Sequence, residues 1–211
     1  MIKASDIDIS TISELMVPDV VNLHFEAFSG FMNTRIGRRY VYAFINWFRC
    51  REDAITLVAL VDGVVVGYTV GAPLGYQQQL NRDLLSVAAQ GMITHPWVFF
   101  DLRFLRKLGD RLQGFLGDTT PARQLPELPL PTMSLVGIGV STKWRGLRIG
   151  ERLIGAFEAD ARAQRMRSLR LSVQTNNPSA RKLYERCGWS PYFRPGKDEM
   201  YYFLVCSATS S

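Results

Sequence analysis

Two apolar, β-branched runs flank the dipeptide Asp62-Gly63: Ala54–Val61 before it and Val64–Val70 after it. Asp-Gly between two such runs signals a two-residue hairpin turn, whose central positions need positive φ. Neither arm alternates apolar with polar residues. Both are nearly continuous apolar sequence, which is the pattern of strands buried on both faces. The chain must therefore place helices on either side of its sheet.

The rest of the sequence supplies them. Pro18 can open a helix that carries Val21, Phe25 and Phe28 on one side. Gly37 marks the start of a second, with Tyr40, Phe44, Ile45 and Phe48 as its apolar face. Met133–Val140 reads as a strand, and Leu147–Ala163 as a helix with Ile149, Leu153, Phe157 and Ala161 at steps of four. Leu169, Leu171 and Val173 alternate as a strand. Asn177-Pro178 opens another helix, with Asn as N-cap and Pro at the first helical position; Ala180, Leu183 and Cys187 face inward, and Gly188 ends it. Tyr201–Val205 is a final strand. The fold class is α/β, a mixed central sheet flanked by helices, with parallel pairing expected in the C-terminal half.

The 211 residues are 47% hydrophobic and 21% charged, which excludes a disordered or fibrous chain and fits one domain over 1–211. No apolar run approaches the ~18 residues of a membrane span. The opening MIKASDIDIS lacks a signal-peptide apolar region, and Cys50, Cys187 and Cys206 lack metal-type spacing. These features lead us to expect a cytoplasmic protein with reduced thiols and no metal site.

Residues 76–131 form a helical insertion between the hairpin and the next strand. Gln77–Ala89 reads as one helix, and Pro96 can open a basic amphipathic second one that carries Trp97, Phe104, Leu108 and Phe115. That stripe reads as core or subunit interface, with a membrane-surface helix as the alternative. Pro121, Pro126, Pro129 and Pro131 then favour extended chain. Long insertions often cover a binding site, and this one is expected to cover such a site or to form a homodimer surface.

The net charge of +6 is concentrated: residues 143–170 hold eight Lys/Arg against three Asp/Glu. Such a stretch is either a solvated helix face or the binding field of an anion. No aromatics interleave with it and no base-reading motif is present, so nucleic acid is not the expected partner. At the strand–helix junction the sequence runs Arg145-Gly146-Leu147-Arg148-Ile149-Gly150. A helix N-terminus offers unpaired amides and the positive dipole end, and glycines let backbone approach an anion. Arg145 and Arg148 add charge-assisted donors. The combination suits a pyrophosphate. One helix further on, Tyr184 lies a turn after Ala180. It is either a core tyrosine with a satisfied hydroxyl or a group that holds a proton beside a leaving group.

The order strand, R-G-x-x-x-G turn, helix, strand, then N-x-x-A-x-x-x-Y-x-x-x-G-W from Asn177 to Trp189 resembles the GCN5-related N-acetyltransferase (GNAT) family. The resemblance covers roughly residues 133–206. The family's turn reads Q/R-x-x-G-x-G/A, and Arg148 stands where its middle glycine would be. The resemblance implies acetyl-CoA bound where two parallel strands splay. It places the backbone of Ile138, Gly139 and Val140 along the pantetheine arm and Arg145, Gly146, Leu147, Arg148, Ile149 and Gly150 at the pyrophosphate. Asn177 would contact the cofactor arm, and Tyr184 would protonate the departing thiolate. A primary amine would attack the thioester directly in a ternary complex; the acceptor is a small molecule or peptide, with an amino sugar or cell-surface precursor among the candidates. Glu26 and His24 are the candidate general bases, unless the amine arrives neutral. A non-catalytic module using the same cleft is the alternative, which Arg148 and the absence of an acid on Met133–Val140 favour.

Overall fold

The computed structural model describes residues 7–28, 32–94, 127–193 and 199–206. Their strands form one seven-stranded sheet in the order β1-β2-β3-β4-β5-β7-β6. The first half comprises β1 (Ile7–Thr11), α1 (Val17–Ala27), α2 (Met32–Ile36), α3 (Arg38–Arg49), β2 (Ile55–Val61), β3 (Val64–Pro73) and α4 (Tyr76–Thr94). The second comprises β4 (Thr132–Val140), α5 (Ile149–Ala163), β5 (Ser168–Gln174), α6 (Pro178–Arg186), β6 (Ser190–Phe193) and β7 (Glu199–Val205).

The hairpin forms as its turn dictates, with Asp62 at φ 50° and Gly63 at φ 76° joining antiparallel β2 and β3. Its apolar arms are covered on both sides, as their lack of alternation requires. On one face α5 buries Ile149, Leu153, Phe157 and Ala161 against β2, β3 and β4. On the other, α1, α3 and α4 enclose a second core that holds Val21, Tyr40, Phe44, Phe48, Tyr68, Leu80 and Leu84. α5 sits very close to the sheet: a Cβ on Gly71 would come within 2.5 Å of both the Phe157 ring and the Ser134 carbonyl.

The structure revises several expectations. Parallel pairing in the C-terminal half is confined to β4 and β5, because β7 pairs antiparallel with both β5 and β6. Five residues separate β6 from β7, far fewer than the dozen or so that a parallel crossover needs. Two short elements, α2 and β6, carry too few periodic residues to be read from sequence. The first insertion helix runs to Thr94, beyond the expected Ala89. It is part of the core: Leu80 and Leu84 are buried, and Trp47 Nε1 of α3 donates to Asp83 at 2.8 Å. The expected helix from Pro96, with Pro121 and Pro126, lies outside the described residues. No described helix is long and apolar enough to cross a membrane.

Candidate active site

The sheet opens at its centre. β4 and β5 pair through only three residue pairs: Thr132 with Ser168, Met133 with Leu169, and Ser134 with Arg170. Hydroxyls fasten this short contact, since the Thr132 and Ser168 oxygens lie 2.8 Å apart and Ser168 Oγ also donates to the Pro129 carbonyl at 2.8 Å. Beyond Ser134, β4 stays with β3 as far as Val140, while β5 stays with β7 as far as Gln174. The β3–β4 register shifts where Val136 is inserted between Leu135 and Gly137. A bulge bends its strand and adds twist, and here it turns β4 away from β5.

The splay leaves one edge of β4 without a strand partner among the described residues. The Ser141 amide donates to Val66 on the β3 side at 2.9 Å. Alternation along an antiparallel strand then turns the N–H and C=O groups of Val140 and Ile138 to the opposite, cleft-facing edge. Gly139 also makes room for side chains on the α1 face of β4. A Cβ on Gly139 would lie 2.9 Å from the Tyr68 ring and 3.2 Å from the Ala27 and Leu23 side chains, and one on Gly137 would lie 3.7 Å from the Tyr68 hydroxyl. Gly139 lets the Tyr68 ring lie across β4 and lets α1 pack down on it, whereas a Cβ on Gly137 would make only ordinary contact.

At the open end of the cleft, β4 passes through a 3-10 turn, Thr142–Trp144, into α5. Gly146 has φ 85°, and Arg148, the N-cap of α5, is left-handed at φ 56°, ψ 22°. Among the described residues no side chain caps α5, so its first amides point outward without an intrahelical acceptor. Arg145 and Arg148 are exposed beside them, while Leu147 is half-buried and Ile149 buried. A Cβ on Gly150 would meet Leu183 of α6 at 3.0 Å, so this glycine brings α5 and α6 together. The left-handed backbone at 148 explains why glycine suits this point of the turn; an L side chain costs about 1–2 kcal/mol there.

On α6, Asn177 is the N-cap, and its Oδ1 accepts from the Ala180 amide at 3.1 Å. Tyr184 is buried, its ring 5.5 Å from that of Tyr202 and 6.2 Å from that of Trp189. Burial pushes its phenol well above the ordinary tyrosine range, with the neighbouring Cys187 and Tyr202 adding to the shift. The hydroxyl therefore stays protonated at neutral pH and has a proton to donate. Cys187, half-buried, is pushed up to about 11 by the same desolvation, so its thiol is un-ionised and a poor nucleophile.

The two base candidates are separated by their environments. His24 is buried beside Phe28, Phe44 and Tyr68, and its Nδ1 is hydrogen-bonded to the Tyr68 hydroxyl at 2.5 Å. Burial lowers its pKa to about 4 and keeps it neutral. Glu26 is exposed, at the C-terminal end of α1. Its Oε1 accepts from the Thr142 amide at 2.6 Å, from Thr142 Oγ1 at 2.5 Å and from Ser141 Oγ at 3.2 Å. The hydrogen bonds from Thr142 hold its carboxyl below the usual range. Tyr68, Ser141 and Thr142 escaped the sequence reading because their partners lie 44 and about 115 positions away; only the glycine pair opposite Tyr68 hints that something crosses β4.

A splayed pair of strands, a bulge at the vertex and an uncapped helix N-terminus flanked by arginines form one continuous track. The sequence profile described as the Acetyltransferase (GNAT) family matches residues 17–189. The chain belongs to the GNAT family. Its activity is that of an acetyltransferase with acetyl-CoA as cosubstrate. Solved structures agree on the fold. An aminoglycoside N-acetyltransferase AAC(6')-Iy in complex with CoA superposes with a TM-score of 0.59 at 13% identity, covering 89% of this chain and 90% of that one. An acetyltransferase from Thermus thermophilus gives 0.58 at 13% identity, covering 97% and 100%. The PaiA N-acetyltransferase from Thermoplasma acidophilum in complex with coenzyme A gives 0.55 at 11% identity, covering 95% and 99%. No curated protein sequence matches significantly. The residues present fit this cosubstrate. The cleft edge at Ile138 and Val140 can pair with an amide-bearing arm, and the turn at Arg145–Gly150 can hold a pyrophosphate.

Proposed function

We propose that this GNAT protein transfers an acetyl group from acetyl-CoA to a primary amine by direct attack in a ternary complex. The supporting observation is the splay of β4 from β5 with the arginine-flanked turn at its open end. Acetyl-CoA supplies an activated acyl group as a thioester. The backbone of Ile138 and Val140 aligns the pantetheine arm, while the amides of Ile149 and Gly150 with Arg145 and Arg148 hold the pyrophosphate. Asn177 holds the start of α6 in place, and Tyr184, on that helix, donates the proton that the departing thiolate takes up. The amine enters in its neutral form and loses its proton to solvent, since Glu26 is engaged by Thr142 and His24 is buried against Tyr68. Amino sugars head the acceptor series, with peptide amines next. α4, the described helix of the insertion, lies on the α1–α3 side of the sheet.

The test is calorimetric titration with acetyl-CoA, with dephospho-CoA and ATP as controls, followed by an acceptor screen. Saturable micromolar binding and turnover of an amine are expected. Binding without turnover on any amine would return the chain to a cofactor-sensing module. No binding would remove the assignment of the cleft.

A further inference from the structure

Glu26 is tied to the start of the phosphate turn by every hydrogen bond it makes among the described residues. The Thr142–Trp144 turn has Ser141 as its N-cap, yet no side chain within the turn caps it. The cap comes from another element: the carboxylate of Glu26, on α1, accepts the Thr142 amide, the Thr142 hydroxyl and the Ser141 hydroxyl on a single oxygen. From the other side, β3 holds the same point through the Ser141 amide and the Val66 carbonyl. Ser141 and Thr142 are therefore clamped between α1 and β3, immediately before the residues that aim the α5 amides.

The bonding also settles what Glu26 is suited to do. A carboxylate oxygen that accepts three hydrogen bonds is a weak proton acceptor. It is also far from the vertex of the cleft. From Ser134 to Val140, two residues short of Thr142, the chain runs along extended β4, a distance on the order of 20 Å at ~3.3 Å per residue. A carboxylate that accepts an N-terminal amide acts as a helix cap acts, fixing the direction in which the following chain leaves.

We propose that Glu26 is a positioning residue for cofactor binding: through Ser141 and Thr142 it sets the phosphate turn, and it takes no part in proton transfer. This rests on the reading of Arg145–Gly150 as the pyrophosphate site.

The experiment compares Glu26→Ala, Glu26→Gln and Thr142→Ala with the unmodified protein, by calorimetric titration with acetyl-CoA and by steady-state kinetics across pH. Glu26→Ala is expected to raise the acetyl-CoA Kd and KM about tenfold, with kcat within about twofold and an unchanged kcat–pH profile. Glu26→Gln keeps an acceptor oxygen and is expected to recover affinity to within about threefold. Thr142→Ala is expected to weaken binding as well, with less than additive loss when combined with Glu26→Ala. A fall in kcat at unchanged acetyl-CoA affinity, or loss of an ionisation from the kcat profile in Glu26→Ala and Glu26→Gln alike, would overturn the proposal in favour of a general base. Unaltered affinity and kcat in all three variants would also overturn it. If the unmodified protein failed to bind acetyl-CoA, the assignment of the cleft would fall, and this inference with it.

Discussion

Tyr184 shows how a residue's surroundings fix its chemical role. Its ring is enclosed by Trp189 and Tyr202, and burial raises its pKa, so the proton stays on oxygen at neutral pH. A thiolate is the weaker base of the two, so the phenol stabilises a departing thiolate first as a hydrogen-bond donor, and the proton follows only as the oxygen regains one from solvent. Tyr184→Phe keeps the packing and removes the proton; kcat should fall about 10²-fold with acetyl-CoA affinity preserved, as steady-state kinetics and calorimetry would show. Arg148 carries the opposite tension, a large side chain in a left-handed conformation. Arg148→Gly should raise stability by up to about 1 kcal/mol, the relieved strain being partly offset by glycine's freedom in the unfolded chain. Urea unfolding measures that gain. Acetyl-CoA titration at low and high salt should show affinity lost together with the guanidinium, and less of a loss at high salt. Of the candidate site, the places of Tyr184, Asn177 and the 145–150 turn in the fold were legible because their spacing along one helix or turn is itself the signal. The clamp on Thr142 and the Tyr68–His24 contact were not, because each joins segments far apart in sequence and depends on the packing of α1.

Elements that obey a local rule were read closely. Asp62-Gly63 forms its hairpin, Asn177-Pro178 caps α6, and the apolar i+4 series of α5 is buried throughout. What periodicity does not encode is how far strands stay together. Nothing in Leu169, Leu171 and Val173 announces that β5 leaves β4 after three pairs; that follows from a bulge at Val136 and from β7 pairing with the whole length of β5. Gly71 lies at this junction of strands and helix. Gly71→Ala would drive a methyl group into both the Phe157 ring and the Ser134 carbonyl. Neither backbone nor a fully buried ring yields cheaply, so a loss of about 3 kcal/mol is expected in urea unfolding. Because Ser134 is in the last pair before the splay, the same variant should also weaken acetyl-CoA binding.

Over the whole molecule, two cores lie on opposite faces of one sheet and titrate differently. The α1–α3–α4 core contains a neutral imidazole whose Nε2 lacks a hydrogen-bond partner among the described residues. His24 has a folded pKa of about 4 against an ordinary value of 6.5. Between those values the unfolded chain binds the extra proton, so stability is full above about pH 6.5 and falls as pH drops towards 4. The loss from this one group is about 3 kcal/mol by pH 4. Denaturant titrations at several pH values should show that slope, and His24→Phe should lack it. The sheet has a mechanical consequence of its own. It consists of two leaves, β1 to β4 and β5 to β6, joined along a short edge of three residue pairs. A ligand whose amides bridge the gap would brace the leaves as a missing strand would. Stability would then rise with ligand concentration as RT ln(1 + [L]/Kd), and resistance to heat would become a measure of how much acetyl-CoA surrounds the protein.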